Sequence, residues 1–478
     1  MIHLNDFALM TDLYQLTMAY GYWKRGMAQR ESVFHLFFRK LPFRGGYAIS
    51  CGLGEICRYL DQYGFSKDHL AYLATLCGND GEPLFEQAFL DELGSMKFEC
   101  DLWAIPEGSV VFPHQPLIRI QGPLLQAQLL ETALLNIINF QTLIATKAAR
   151  ICQAALGEPV LEFGLRRAQG INGGLAASRA SYIGGCSATS HVWAGYQLGI
   201  PVKGTHAHSW VMAHDDELES FQSYADAMPN NCIFLVDTYD TIEGVANAIR
   251  VGNQLRNAGH EMVGVRLDSG DLAELSTEAR RMLDEAGFEQ ASVVASNDLD
   301  EYRIQTLKAR GAKINVWGVG TRLVTAYDQP ALGGVYKLAA LKDDAGVWQD
   351  KVKLSEQAIK VSNPGIQQVR RYFKDGKAAA DVIYDATEAQ IPGEINTFQG
   401  HTFHLDAEGS VDLLQEIYVK GNRIAELPDI HEIRSKTFSN LAQFSAEYLK
   451  LSEAESYPVG LSTSLLDRKT TLIRALKS

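Results

Sequence analysis

The middle of the chain alternates short apolar runs with longer amphipathic stretches. The runs are Pro159–Phe163, Pro201–Thr205, Cys232–Val236, Met262–Leu267, Ala291–Ala295, Lys313–Trp317 and Gly334–Leu338. Each ends in polar or glycine-rich residues, and their starts lie roughly 20 to 40 residues apart, the spacing of βα units. Between them, Asp240–Ala258 carries Ile242, Val245, Ala248, Ile249 and Leu255 at helical intervals and closes at Gly259. Asp271–Glu285 closes at Gly287, and Asp298–Arg310 closes at Gly311. An acidic residue satisfies the orphan N–H groups of a first helical turn, and glycine adopts the left-handed conformation that ends one. Mostly apolar, buried strands alternating with helices predict a parallel sheet covered on both faces. About seven such units favour a barrel-like arrangement over an open sheet.

The flanks differ. Residues 1 to 120 mix helical and strand patterns, with strand candidates at Phe34–Arg39, Ser109–Phe112 and Leu117–Ile120. The most apolar long segment, Leu124–Leu156, contains Glu131, Asn136, Asn139, Lys147 and Arg150, so it reads as a buried helix rather than a membrane span. From about residue 345 the chain is more polar, with turn signals at Lys374–Lys377 and Ala407–Ser410 and a strand and turn at Gln415–Asn422. The expected organisation is an N-terminal α/β domain over 1–120, an α/β barrel over 121–345, and a C-terminal part over 346–478 packing with the N-terminal domain.

Charge narrows the partners. A net charge of -13 argues against nucleic acid and against a membrane surface, both of which need a basic face. It leaves anionic small molecules open, because arginines can cluster locally. The 7 cysteines include no C-x-x-C pair, which suits a reducing compartment better than a disulfide framework. The first residues carry Asp6 and Asp12 and no basic start, so no signal peptide is read and a cytoplasmic location is expected.

In a parallel βα arrangement the reactive groups follow the strands. Here the strand ends carry Arg166-Arg167, Thr205 to Ser209, Asp237 to Asp240, Asp268 to Asp271, Ser296 to Asp298 and Gly318 to Thr321. Gly318-Val-Gly-Thr321 can cradle a phosphate, since glycines let backbone N–H groups approach an anion; the plain alternative is a tight turn. Strand alternation puts Arg266 and Asp268 on one face, which suits a substrate bearing a carboxylate or phosphate and hydroxyls, or else an internal ion pair. Asp240 reads as a helix cap, and Asp237 as a group for a sugar hydroxyl or magnesium. Arg166 and Arg167, after the Phe163-Gly164 break, are an anion clamp or a solvated face.

His206 and His208 stand two apart, the spacing that places two metal ligands on one strand face. Further ligands are wanting at that edge: His260 precedes a strand, and His401, His404 and His431 fall in the C-terminal part. A metal hydrolase is therefore a remote reading, and His214 reads as a surface or supporting residue.

Together and in order, these motifs resemble the nicotinate phosphoribosyltransferase family. The matching stretches are Thr11–Met18, Glu162–Gly170, Gly204–Ser209, Val236–Thr241, Gly264–Leu272, Gly318–Thr321, Gly333–Leu338 and Lys353-Leu-Ser. The resemblance implies an irregular α/β barrel with an added α/β domain formed from both chain ends, usually as a homodimer with its active sites at the interface. It implies transfer of phosphoribose from phosphoribosyl pyrophosphate to nicotinate, giving nicotinate mononucleotide and pyrophosphate in NAD biosynthesis. ATP hydrolysis is coupled to the transfer, magnesium is used, and no organic cofactor is expected. By this resemblance His208 is the histidine phosphorylated by ATP, while His206 occupies a variable position. Tyr14 matches the aromatic residue covering the nicotinate ring across the subunit interface, with Phe163 on the other face. Thr205, Ser209 and Arg266 would read the pyridine carboxylate. Arg166, Asp237 and Asp268 would hold the phosphoribosyl donor, with Gly318, Gly320 and Thr321 at its 5-phosphate. His208→Ala should abolish ATP coupling and His206→Ala should largely preserve it. The rival readings are the same transfer to nicotinamide, a quinolinate enzyme, and a non-catalytic phosphate-binding protein.

Overall fold

The computed structural model describes residues 8–388, 394–398, 400–404 and 406–477. The fold is α/β, in two compact units: Ile144–Pro330, and Met1–Leu143 with Ala331–Ser478.

The continuous unit is built on a parallel sheet of β1 (Val160–Glu162), β2 (Ala188–Thr189), β3 (Ile233–Leu235), β4 (Gly264–Leu267), β5 (Ser292–Ala295) and β6 (Val316–Val319). Its spatial order is β2-β1-β6-β5-β4-β3, and Thr189 also bridges in parallel to Val202. The order is a cyclic permutation of the chain order, in an open sheet with β2 and β3 at its edges. Followed along the chain, each strand neighbours the next except β2 and β3, which lie at the two edges, and β6 returns to pair with β1 through Trp317 and Val160. The seam lies between Val202 and β3, where no backbone ladder forms among the described residues. The strands are apolar because both faces are covered: Phe234, Leu235, Val265, Leu267, Val293, Trp317 and Val319 are all fully buried.

Helix boundaries follow the punctuation in two of three cases. Asp240 accepts from the N–H groups of Ile242 (3.0 Å) and Glu243 (2.9 Å) to cap Thr241–Asn257. Asp271 likewise caps Leu272–Glu285. The third helix, Glu301–Ala309, is capped by Asp300 rather than opened by Asp298. Asn297 and Asp298 instead hold left-handed backbone, with φ of 86° and 46°, directly after β5.

Two strand expectations fail. Pro201–Thr205 yields only the bridge at Val202. Gly334–Leu338 does not join the parallel sheet: it is the start of Gly334–Lys342, antiparallel to Glu31–Phe38 in the other unit. β6 pairs directly with β1, and the edge strand β2 beyond it is too short for its pattern to be read.

The discontinuous unit contains a seven-stranded antiparallel sheet. Its order is Trp348–Asp350, Gly334–Lys342, Glu31–Phe38, Ile118–Pro123, Asp101–Ala104, Gln415–Val419 and Asn422–Arg423. A six-stranded sheet beside it includes the hairpin Gln367–Lys374 and Lys377–Asp385. Asp375 and Gly376 turn that hairpin with φ of 51° and 68°, the doubly left-handed geometry that an Asp-Gly pair supports. The apolar segment from Leu124 forms two helices, Leu124–Leu129 and Glu131–Ala154. Among the described residues, no helix is long and apolar enough to cross a membrane.

Candidate active site

The polar groups of the continuous unit gather where its parallel strands end, and Arg266 ties several of them together. Pointing from β4, it donates through Nε to Ser296 Oγ (2.9 Å), through Nη1 to Thr205 Oγ1 (2.7 Å) and through Nη2 to Asp268 Oδ1 (3.1 Å). Ser296 Oγ donates in turn to Asp268 Oδ1. One guanidinium fork thus spans the ends of β4 and β5 and the loop after Val202. The ion pair is only partly exposed, at 13% for Arg266 and 32% for Asp268, so a ligand anion could still reach the guanidinium.

Asp237 faces the same edge. Its Oδ2 accepts from the Asp268 N–H (2.8 Å) and from Ser269 Oγ (2.6 Å). Its Oδ1 is buried and makes no hydrogen bond. An ionised oxygen held that way is costly unless a cation or a donor completes it.

The two histidines do not share a strand face. His208 opens the short helix His208–Met212, and its Nδ1 lies 3.1 Å from Thr238 Oγ1. His206 is buried in the loop before it, where its Nε2 accepts from the backbone N–H of Leu235 at 3.2 Å. Burial holds the His206 pKa down at about 4; Arg266 and His208 push the same way, against a hydrogen bond to Ala207. Among the described residues no group of three or more His, Cys, Asp or Glu could hold a metal ion. Ser209 is exposed on the helix. His214 Nδ1 lies 2.8 Å from the Trp210 carbonyl, with its ring packed on the indole, a local structural arrangement.

At the end of β6, the glycines answer first to Phe163. A Cβ on Gly318 would stand 2.8 Å from the Phe163 ring, and one on Gly320 would stand 3.1 Å from the Phe163 carbonyl. Thr321 then opens the turn Thr321–Val324. Arg166 and Arg167 lie on the exposed turn Leu165–Arg167, and neither makes an ion pair among the described residues. Two unpaired guanidiniums on one turn can take an anion.

Two features escaped the sequence reading. Glu162 is fully buried and accepts from the Gly164 N–H, Ser178 Oγ (2.9 Å) and Thr189 Oγ1 (2.6 Å). Those bonds lock the turn that presents Phe163; a carboxylate inside an otherwise apolar run was the available cue. In the discontinuous unit, burial lowers the Lys337 pKa despite Glu131, and the positive charges of Arg39 and Lys353 lower it further. Arg39 Nε is buried without a hydrogen-bond partner. Lys337 lies in the Gly333–Leu338 stretch, and its Nζ donates to the Tyr336 carbonyl at 2.7 Å. Tyr14, on the helix Leu13–Lys24 of that unit, is 48% exposed. Burial raises its phenol pKa, and the charges of Glu131 and Asp12 add to this.

Comparison with known proteins points in one direction. The nicotinate phosphoribosyltransferase N-terminal domain model matches residues 9–139, the nicotinate phosphoribosyltransferase family model 160–376, and the C-terminal domain model 366–469. The chain is 44% identical to the nicotinate phosphoribosyltransferase of Bacillus subtilis, covering 99% of this chain and 96% of that protein. It is 34% identical to the human protein of the same name, covering 96% and 95%. The crystal structure of human nicotinic acid phosphoribosyltransferase superposes with a TM-score of 0.85 at 32% identity, over 97% of this chain and 100% of that one.

Proposed function

Because the chain belongs to the nicotinate phosphoribosyltransferase family, we propose that it transfers phosphoribose from phosphoribosyl pyrophosphate to nicotinate. The products are nicotinate mononucleotide and pyrophosphate, a step in NAD biosynthesis. The observation that carries this reading is the Arg266 fork, a partly exposed guanidinium held by Thr205, Ser296 and Asp268 at the strand ends. A pyridine carboxylate needs a cation and hydroxyl donors, whereas an amide would also need an acceptor.

In this reading Arg266, Thr205 and Ser209 hold the carboxylate, and the Phe163 ring lies along one face of the pyridine. Tyr14 covers the other face across a homodimer interface. Gly318, Gly320 and Thr321 receive the 5-phosphate, and Arg166 receives the pyrophosphate end of the donor. Asp237 and Asp268 face the ribosyl part. As pyrophosphate departs, the ribosyl carbon gains oxocarbenium character, so orientation and charge stabilisation matter more than a strong base.

The donor set suits magnesium. Asp237 keeps one carboxylate oxygen unbonded, and magnesium is ordinarily held by one or two carboxylates together with substrate phosphates. Bound there with the donor, magnesium would neutralise the leaving pyrophosphate. His208 is the proposed acceptor of phosphate from ATP, with Thr238 orienting its ring through Nδ1 and leaving Nε2 to react.

The test is direct. The protein is incubated with phosphoribosyl pyrophosphate, magnesium and either nicotinate or nicotinamide, with and without ATP, and pyrophosphate is measured. Release with nicotinate, stimulated by ATP, is expected. No release with nicotinate under any condition would remove the reading. Equal release with nicotinamide would remove the role given to Arg266.

A further inference from the structure

The parallel sheet is open at one seam, and a side chain crosses it. Along β3, the Val236 N–H turns toward β4 and donates to the Arg266 carbonyl at 3.2 Å. The preceding N–H, that of Leu235, faces the opposite, unpaired edge, because successive strand residues direct their backbone groups to alternate sides. In a closed circle that N–H would meet a carbonyl of the strand continuing from Val202. Here it meets His206 Nε2 at 3.2 Å. Residues 203–207 carry no regular secondary structure, so this imidazole replaces a missing rung of the ladder.

The surroundings fix the state of the ring. His206 is 7% exposed, with the rings of Tyr224, Phe221 and Phe234 centred 5.0, 5.9 and 6.4 Å away. Nε2 can accept from Leu235 only in the neutral ring, with the proton on Nδ1. Nδ1 lies 3.5 Å from the Ala207 carbonyl, a direction that suits that tautomer. Burial, with Arg266 and His208 nearby, opposes the protonated form that would put two donors face to face.

The residues on either side of this bond are those given the substrate and the phosphate. One residue before His206, Thr205 Oγ1 accepts from Arg266 Nη1. Two residues after it, His208 Nδ1 meets Thr238 Oγ1, itself three residues beyond Leu235. We propose that His206 is a positioning residue, a strut across the seam that sets Thr205 against Arg266 and His208 against Thr238. This rests on the reaction proposed above, and it replaces the expectation that His206 is dispensable for ATP coupling.

The test compares His206→Phe, which keeps an aromatic ring and loses the acceptor, with His206→Gln, whose Oε1 reaches the position of Nε2. Three quantities are read on the full-length protein: kcat/KM for nicotinate, ATP hydrolysed per pyrophosphate released, and amide exchange of the peptide containing Leu235. In His206→Phe, kcat/KM should fall roughly ten-fold, the scale of one buried hydrogen bond. More ATP should then be hydrolysed per pyrophosphate, and Leu235 exchange should accelerate. His206→Gln should restore all three to within about three-fold of wild type, the margin of a single well-placed acceptor. A loss of rate matched by a loss of folded protein, with an unchanged ATP ratio, would mean that His206 is only a packing residue. His206→Gln as impaired as His206→Phe, or His206→Phe equal to wild type, also overturns the proposal. A wild-type protein that releases no pyrophosphate would overturn the reaction and the positioning role with it, while Leu235 exchange still judges the strut.

Discussion

Arg266 donates Nη1–H to Thr205 Oγ1 at 2.7 Å, joining a residue inside β4 to one in the irregular loop after Val202. Lysine at 266 would keep the charge but not the planar fork that reaches Thr205, Ser296 and Asp268 together. Hydrogen bonds to a charged group contribute about 1.5–3 kcal/mol, so Arg266→Lys should lower kcat/KM for nicotinate by roughly 10- to 100-fold. Steady-state kinetics checks this; a value within two-fold of wild type would mean that the fork is not used on substrate.

Thr238 is the partner of His208 Nδ1. His208→Ala should abolish acid-labile phosphate on the protein and any stimulation by ATP, leaving a slower, ATP-independent transfer. Thr238→Val should retain the phosphate but slow its formation, since the ring loses the contact that orients it. Radiolabelled γ-phosphate transfer measures both, and label persisting in His208→Ala would place the phosphate elsewhere.

Gly318 is held to glycine by the Phe163 ring, not by its backbone angles. Gly318→Ala drives a methyl to within 2.8 Å of that ring, so the ring must move. The variant should fold with a loss of about 1–3 kcal/mol, the usual cost of overpacking, and show a raised KM for nicotinate through the displaced ring as well as for phosphoribosyl pyrophosphate through the crowded phosphate cradle. Thermal melts and the two KM values separate these effects; a change confined to the donor KM would mean that Phe163 does not contact nicotinate.

His206 carries a pH signature. Its pKa falls from the ordinary 6.5 to about 4 on folding, mainly through burial and with Arg266 and His208 adding to it. Between those values the unfolded chain binds a proton that the folded chain does not. The stability contribution is therefore intact above pH 6.5 and drains away as the pH falls toward 4. The whole shift corresponds to roughly 3 kcal/mol. His206→Gln should lose less stability than wild type over that interval in denaturant titrations; parallel curves would contradict a buried neutral imidazole.

The legible parts of the structure were those written in local chemistry. Asp240 and Asp271 cap their helices because a carboxylate before an amphipathic run has one obvious use. Asp298 misled because Asp300 stands two residues on; Asn297 and Asp298 instead take left-handed backbone, a conformation that Asn and Asp tolerate better than other non-glycine residues. Gly334–Leu338 misled because an apolar strand does not name its partner: pairing with Glu31–Phe38 is a long-range choice. That Arg266 and Asp268 share a strand face and pair there was readable from alternation alone. The difference between His206 and His208 was not, because it depends on a helix starting at His208 and on an N–H left free 29 residues downstream.

The strand Glu31–Phe38 lies between Ile118–Pro123 and Gly334–Lys342. As the chain leaves the ribosome, the first of these neighbours arrives early, while the second follows only after the whole of Ile144–Pro330 has been made. The parallel sheet can therefore assemble from contiguous chain while the antiparallel sheet of the other unit still waits for an edge. Truncation before Gly334 would leave the hydrophobic flank of Glu31–Phe38 uncovered, a natural surface for a chaperone during synthesis.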